Sequence, residues 1–328
     1  MPKTEAQLLR LKEEPCNYFS EAAIHQFLMK NARQYMNALE KFYILWKRRK
    51  SMVSYPRKQL FQTAGLKGDF RVMPCVITGL KRTPIKAVKI IGTNEEERTL
   101  KDKISVGKAL LLHPHDNYVQ GIFDVCAFSS FRTAAISVLV FKHLVEKSNG
   151  PVAIVGAGRI GYYTAMLLQD WLKVKNFYLV DPNKRRASLL RQLIEKKKAS
   201  SEILTLKKAC SSVQALFLAT DSTSALVDAR NAGNVDFVSS VGADCDYLSE
   251  VDKSLLKERR IITDSLDNIY FGDLNRWRKQ GLLKESRVED FRTIIGKKQR
   301  TKTTKLFIST GTAVQDAFTC HFLFNHIR

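Results

Sequence analysis

The residues whose types and spacing most directly suggest chemistry are Gly156-Ala157-Gly158-Arg159-Ile160-Gly161. They follow the apolar run VAIV and open a helical pattern that begins near Arg159. In such a turn the first glycine permits a tight bend, the second lets the backbone approach a pyrophosphate, and the third lets helix and strand pack closely. The amides and dipole at the helix start then hold the phosphates. Asp181 ends the next apolar run, NFYLVD. An acid at that place hydrogen-bonds the ribose hydroxyls and repels a 2′-phosphate, which favours NAD over NADP. Lys184, Arg185 and Arg186 follow closely and blunt that preference.

In open α/β sheets a ligand lies beyond the carboxyl ends of the strands. Further candidates are therefore Thr220 and Asp221 after ALFLAT, Gly242 to Asp246 after VDFVSSV, and Thr310 and Gly311 after KLFIS. Thr220, Gly242 and Gly311 are expected against the cofactor. His113-Pro114-His115 has no third ligand at suitable spacing, so it reads as a loop pair and no metal is expected. There is no GxSxG, HExxH or P-loop lysine motif. The six cysteines are scattered without CxxC spacing and read as reduced cytosolic thiols.

The elements that must position these residues follow from apolar spacing. Residues 20–50 carry Ile24, Phe27, Leu28, Tyr35, Met36, Leu39, Phe42 and Tyr43 at intervals of three and four, which predicts one long amphipathic helix capped by Ser20. Short apolar runs separated by Gly, Pro, Asn and Asp fill 51–131 and predict strands. Residues 131–150 read as a helix stopped by a left-handed turn at Asn149-Gly150. From Gly150 onward strands and helices alternate, the pattern of a parallel sheet covered on both faces. The expected fold is α/β, a Rossmann-type doubly wound sheet plus a second α+β substrate and dimerisation domain. The expected division is 1–131 with 310–328 for the substrate domain and 132–309 for the NAD-binding domain.

The 328 residues are 45% hydrophobic and 26% charged, globular proportions for a chain able to bury a core without disulfides or metals. No run approaches the roughly 18 apolar residues that span a bilayer, so no membrane partner is expected. The first residues, MPKTEAQLLRLKEEP, lack the apolar stretch of a secretory signal, which points to the cytoplasm. A formal charge of +22 raises nucleic acid as a partner. The excess is spread over both halves, and its clusters do not interleave with aromatics. It reads as a basic solvated surface, and no nucleic-acid partner is expected.

Four segments together resemble the ornithine cyclodeaminase/mu-crystallin family: AVKIIGTN (87–94), FRTAAISVLVFKHL (131–144), the glycine turn, and SVGADCDYLSEVD (240–252), with STGTAVQDAF (309–318) closing the chain. The resemblance runs from about Tyr55 to the end. It implies a homodimer with hydride chemistry at the α-carbon of an amino acid, an amino-acid conjugate or its imine. Lys89 and Arg132 match the positions that hold the substrate carboxylate, and Asp244 matches the catalytic carboxylate that handles protons. Asp246 lies two residues away and could exchange roles with it. Arg57 resembles a third carboxylate-binding arginine, with altered spacing to the Met73-Pro74 step.

Ornithine-using members of that family carry an acid three positions before this proline; here the residue is Arg71. A cation there does not welcome a second ammonium group and suits an acidic or neutral substrate side chain, or points to solvent. The implied reaction is an NAD-dependent amino acid dehydrogenase or imine reductase. SSFRTAAISV resembles a siderophore-pathway branch. An ornithine or lysine cyclodeaminase, and a non-catalytic NAD(P)H- or ligand-binding protein like mu-crystallin, are the alternatives.

Overall fold

A computed structural model describes residues 3–10, 12–62, 68–80, 83–94, 100, 105–297 and 303–327. After a short helix α1 (Lys3–Leu8), strand β1 (Asn17–Phe19) leads into α2 (Glu21–Lys30) and α3 (Ala32–Arg48). The single helix expected over 20–50 is therefore two. Ser20 does cap the first, its hydroxyl accepting from the Ala23 amide at 3.4 Å. The break falls at Asn31, whose backbone (φ −113°, ψ 21°) leaves the helical region while its side-chain amide donates to the Phe27 carbonyl. A side chain competing for the backbone in this way is the physical reason Asn punctuates helices.

Strands β2 (Val53–Ser54), β3 (Gln59–Phe61), β4 (Gly68–Ile77), β5 (Ile85–Asn94), β6 (Val106–Leu112) and β7 (Val119–Asp124) complete a first sheet. Its order is β1-β7-β6-β5-β4-β2, with β3 also on β4. The long strands β4 to β7 form an antiparallel meander, and β1 joins β7 in parallel. Alternation puts Arg71, Met73, Cys75 and Ile77 of β4 on the buried face, with Ile85, Ala87 and Lys89 of β5. Met73 pairs with Lys89 and Arg71 with Ile91, so the two cations are diagonal neighbours on that face. The other face leaves Phe70, Val76, Ile90 and Val106 exposed.

Helix α4 (Val125–Leu144) starts six residues before the position expected from sequence and ends in an extended Val145, not at a left-handed Gly150. Its N-cap residue, Asp124, makes no side-chain capping bond, so the usual local signal for a helix start is missing. The expected boundary at 131/132 falls inside this helix. By length and composition alone α4 is apolar enough to cross a membrane, but 83% of its most apolar window is buried inside the protein, as in a core helix. It packs against both sheets, and a helix covered on every side is apolar on every side.

The second sheet is wholly parallel: β8 (Val152–Val155), β9 (Asn176–Val180), β10 (Ser200–Ile203), β11 (Ala215–Leu218), β12 (Phe237–Ser240), β13 (Arg260–Thr263), β14 (Val288–Asp290) and β15 (Lys305–Ile308). The order is β10-β9-β8-β11-β12-β15-β13-β14. Helices α5 (Arg159–Leu172), α6 (Lys184–Lys196), α7 (Leu206–Ser212), α8 (Ala229–Ala232), α9 (Gly272–Lys279) and α10 (Phe291–Ile294) connect its strands. Every residue of β8, β11, β12 and β15 is buried, as parallel strands covered on both faces require. The doubly wound α/β expectation is met. Strand β14 escaped the sequence reading because only three residues, Val-Glu-Asp, form it. The last helix, α11 (Ala313–His326), returns to cover the buried face of the first sheet against β4, β5 and β6.

Candidate active site

The chain turns from one side of the second sheet to the other between β8 and β11, and the glycine turn opens at that switch point. Gly156 has φ +98°, and a Cβ there would lie 2.4 Å from the Ala219 carbonyl oxygen. A Cβ at Gly161 would lie 2.0 Å from the Gly156 carbonyl oxygen. At Gly158 a Cβ would meet nothing within 4 Å, so this face of the turn is open to a ligand. The three glycines thus divide into two that the protein needs for itself and one that leaves room for a pyrophosphate. Asp181 accepts from the Ala157 amide and from the Asn183 amide, both at 2.7 Å, which holds its carboxylate at the rim of the turn. Ile160 packs against the core, while the Arg159 guanidinium lies against the Cys126 sulfur of α4. These residues fit a dinucleotide phosphate.

Thr220 and Gly242 stand at the ends of neighbouring strands and are tied together by Glu250. Its fully buried carboxylate accepts from the Thr220 amide (2.6 Å) and hydroxyl (2.9 Å), the Ser240 hydroxyl (2.7 Å) and the Gly242 amide (2.8 Å). Burial raises its pKa against the pull of these donors. A Cβ on Gly242 would meet the Thr220 carbonyl oxygen at 2.1 Å, so glycine here is a requirement of close strand-end packing.

Across the crevice, β5, α4 and α11 bring Lys89, Arg132 and Asp316 together. Asp316 pairs with Lys89 at 2.7 Å and with the Arg132 Nε at 3.1 Å, and all three side chains are almost fully buried. One carboxylate thus serves two cations in a low-dielectric place, an arrangement that leaves demand for a second anion. Burial, with Arg132 beside it, lowers the Lys89 pKa to about 8 against the pull of Asp316. Arg132 also donates to the Gln315 Oε1 (3.3 Å) and the Ser129 hydroxyl (3.1 Å). Gly311, expected against the cofactor, lies instead under this guanidinium: a Cβ there would be 2.7 Å from Nη1. Its φ of +84° and its missing side chain make the floor of the clamp.

Arg57 does not reach the clamp. It is exposed, stacks on the Tyr270 ring at 3.4 Å and faces Asp267 at 3.6 Å. The next residue, Lys58, points inward because alternation along an extended chain sends successive side chains to opposite sides. Its ammonium donates to the Thr310 carbonyl and hydroxyl, both at 2.9 Å, and lies 3.9 Å over the Phe271 ring. Burial, then Arg71, lowers its pKa to about 7; Lys89 and Arg132 add to that effect and Asp244 opposes it.

Arg71 is buried, not solvent-facing, and is not free for a substrate. It grips Asp69 with Nε (3.0 Å) and Nη2 (2.9 Å), and Nη1 donates to Asp244. Burial alone would raise the Asp244 pKa, but Arg71, then Lys58, hold it below the usual carboxylate range. Asp246 faces away toward Asn275 and Lys279, so Asp244 is the acid of this pair that reaches the clamp. Lys58, Asp69, Glu250 and Asp316 were missed from sequence. Only Asp316 left a trace there, as an acid within the apolar run AVQDAF.

The His113 ring stacks on Tyr118 at 4.8 Å, and no group of His, Cys, Asp or Glu able to hold a metal occurs among the described residues. All six cysteines are free thiols.

The chain is 22% identical to the alanine dehydrogenase of Archaeoglobus fulgidus over 290 residues, 86% of each chain. It is 32% identical over 78 residues to the N-((2S)-2-amino-2-carboxyethyl)-L-glutamate dehydrogenase of Staphylococcus aureus, 24% of this chain and 23% of that one. Its fold is similar to that of Thermococcus litoralis Δ1-pyrroline-2-carboxylate reductase, solved with NADH and L-proline. There the TM-score is 0.82 at 18% identity, over 94% of this chain and 96% of that one. Residues 19–328 match the ornithine cyclodeaminase/mu-crystallin family throughout, and the chain belongs to that family.

Proposed function

We propose that this protein is an NAD(H)-dependent oxidoreductase acting at the α-carbon of an L-amino acid, an amino-acid conjugate or the corresponding imine. The observation that carries the reading is the buried Lys89–Asp316–Arg132 triad, whose Arg132 stands on the helix, α4, that meets the glycine turn through Cys126. Arg132 lies six residues beyond Cys126, about 9 Å along the helix axis, so one rigid rod spaces the clamp from the cradle. Two cations that share one acid, with a third nearby, suit a carboxylate.

NAD would be held by Gly156 to Gly161 and by Asp181, whose acid favours it over NADP. When bound, it supplies the nicotinamide that takes or returns a hydride. Arg132, Lys89 and Lys58 fix the substrate carboxylate, which limits where the α-carbon can sit. Asp244, held ionised by Arg71, accepts a hydrogen bond from the substrate nitrogen and takes or returns its proton. With Asp69 and Asp244 both engaged by Arg71, neither is left to receive a distal ammonium group, which favours substrates without one over ornithine or lysine.

The same reading assigns 1–131 with 310–328 to substrate binding and dimerisation and 132–309 to the cofactor. The bare apolar face of the first sheet, including Phe70 and Ile90 at 48% and 42% exposure, supports a homodimer. Free cysteines suit a cytoplasmic setting.

NADH absorbance and fluorescence with purified protein test this reading against a panel of L-alanine, L-proline, L-ornithine, L-lysine, glutamate conjugates, cyclic imines and 2-oxo acid/ammonia pairs. Turnover with a substrate lacking a distal amine is expected. Turnover confined to ornithine or lysine, or NADH binding with no turnover, would replace it by one of the two alternatives.

A further inference from the structure

A further buried acid, Asp264, has no ion pair with the clamp's cations, yet hydrogen-bond chains run from it to two of them. It follows β13, is fully buried, and accepts from the Ser309 hydroxyl (2.9 Å), the Gln315 Nε2 and the Asn268 Nδ2. Gln315, in the first turn of α11, thereby turns its Oε1 to Arg132 at 3.3 Å. Asn268 turns its Oδ1 to the Thr310 hydroxyl at 2.7 Å, and that hydroxyl oxygen, its proton committed to Asn268, accepts from Lys58 at 2.9 Å. Gln315, Asn268 and Thr310 are all buried, so water does not substitute for a lost partner.

The direction of each chain follows from its ends. A guanidinium and an ammonium only donate, and the two Asp264 oxygens accept from three donors, which with Arg132 oppose the rise in pKa that burial imposes on this acid. The NH2 groups of Gln315 and Asn268 also meet the Tyr43 and Thr263 hydroxyls, which can donate or accept, so the carboxylate is the acceptor that decides which way each amide turns. We infer that Asp264 is a positioning residue for the carboxylate clamp, setting the donor–acceptor polarity of Gln315 toward Arg132 and of Asn268 and Thr310 toward Lys58. This rests on the clamp reading above and extends it to a residue that neither the sequence motifs nor the ion pairs single out.

Asparagine at this position keeps the shape but brings one NH2 group among donors. The amide that it faces must then turn over, and its own NH2 group is presented to Arg132 or to Thr310. For Asp264→Asn loaded with NAD, calorimetric titration with pyruvate and with L-proline should show binding weakened by about tenfold or more, with NADH affinity unchanged. In a Gln315→Met background, where the arm to Arg132 is already missing, Asp264→Asn should weaken pyruvate and L-proline binding by less than it does in the wild type.

Unchanged affinity in Asp264→Asn, or effects of Asp264→Asn and Gln315→Met that simply add, overturns the inference, since two substitutions that did not act through the same hydrogen-bond chain would weaken the probes independently. If Asp264→Asn does not fold, Gln315→Met removes the arm to Arg132, together with the Gln315 bonds to Asp264 and Tyr43, and leaves the arm to Lys58. It should weaken pyruvate and L-proline binding while sparing NADH, and wild-type affinity there is equally fatal. Wild-type protein that binds NADH but neither probe overturns the clamp reading itself, and the inference with it.

Discussion

The two proposed anion sites are built in opposite ways. The phosphate cradle is six consecutive residues, and its selectivity is in the backbone: two glycines are demanded by carbonyl oxygens 2.0 and 2.4 Å from where a Cβ would lie. The carboxylate clamp is drawn from residues 58, 89, 132 and 316, and its selectivity is in buried charge. A cradle of the first kind needs one local conformation. A clamp of the second kind needs the first sheet, α4 and α11 to arrive together. The difference teaches where damage spreads, because backbone crowding harms fold and ligand at once, whereas a missing charge harms the ligand far more than the cofactor.

Gly161→Ala breaks the cradle most severely. Its Cβ overlaps the Gly156 carbonyl oxygen, so NADH binding should be lost and the melting temperature should fall, by several kcal/mol of stability. Gly158→Ala is the matched control that sharpens the comparison. With nothing within 4 Å, it should keep the melting temperature and weaken only NADH, as read by fluorescence titration.

Arg132→Ala comes next. Truncating one partner of a buried charge pair costs about 2–5 kcal/mol, so kcat/KM should fall by about a hundredfold or more while NADH affinity stays. A matching loss of NADH affinity would mean that cradle and clamp are not separable.

The pH dependence of pyruvate binding gives a smaller effect. Lys58 and Lys89 carry charge below about 7 and about 8, under their usual values, with Arg71, Arg132, Asp244 and Asp316 facing them. An anion prefers the charged forms, so affinity should be greatest below pH 7 and decline as pH rises through 7 to 8. Pyruvate itself does not titrate there. Lys58→Met should remove the lower step of the profile and leave the upper one. The smallest effect belongs to Arg57→Ala, which removes a surface stack on Tyr270 and should change kcat/KM by less than about twofold.

The pair 57 and 58 shows why part of the site was illegible. A family resemblance pointed to the arginine, yet the direction of a side chain on an extended segment changes with every residue, and a one-residue difference in register exchanges inside for outside. Gly311 was assigned to the cofactor because it follows a strand of the parallel sheet, but α11 carries the chain straight into the clamp. Helix α4 was displaced by six residues because its ends lack capping side chains. The central strands of the parallel sheet, in contrast, were legible one by one, since β8, β11, β12 and β15 are buried on both faces and read as apolar runs, whereas the three residues of β14 did not.

What the sequence alone determined is local: the glycine turn, the acid after the next strand, and the alternation that makes a doubly wound fold. Each rests on a period or a conformational need expressed within about thirty residues. Which cations meet, that Asp316 serves two of them, that Arg71 reaches Asp244, and that Asp264 faces Gln315 were decided only in the tertiary structure. These contacts join residues roughly 50 to 230 positions apart, and nothing in a local pattern encodes the partner of a buried charge.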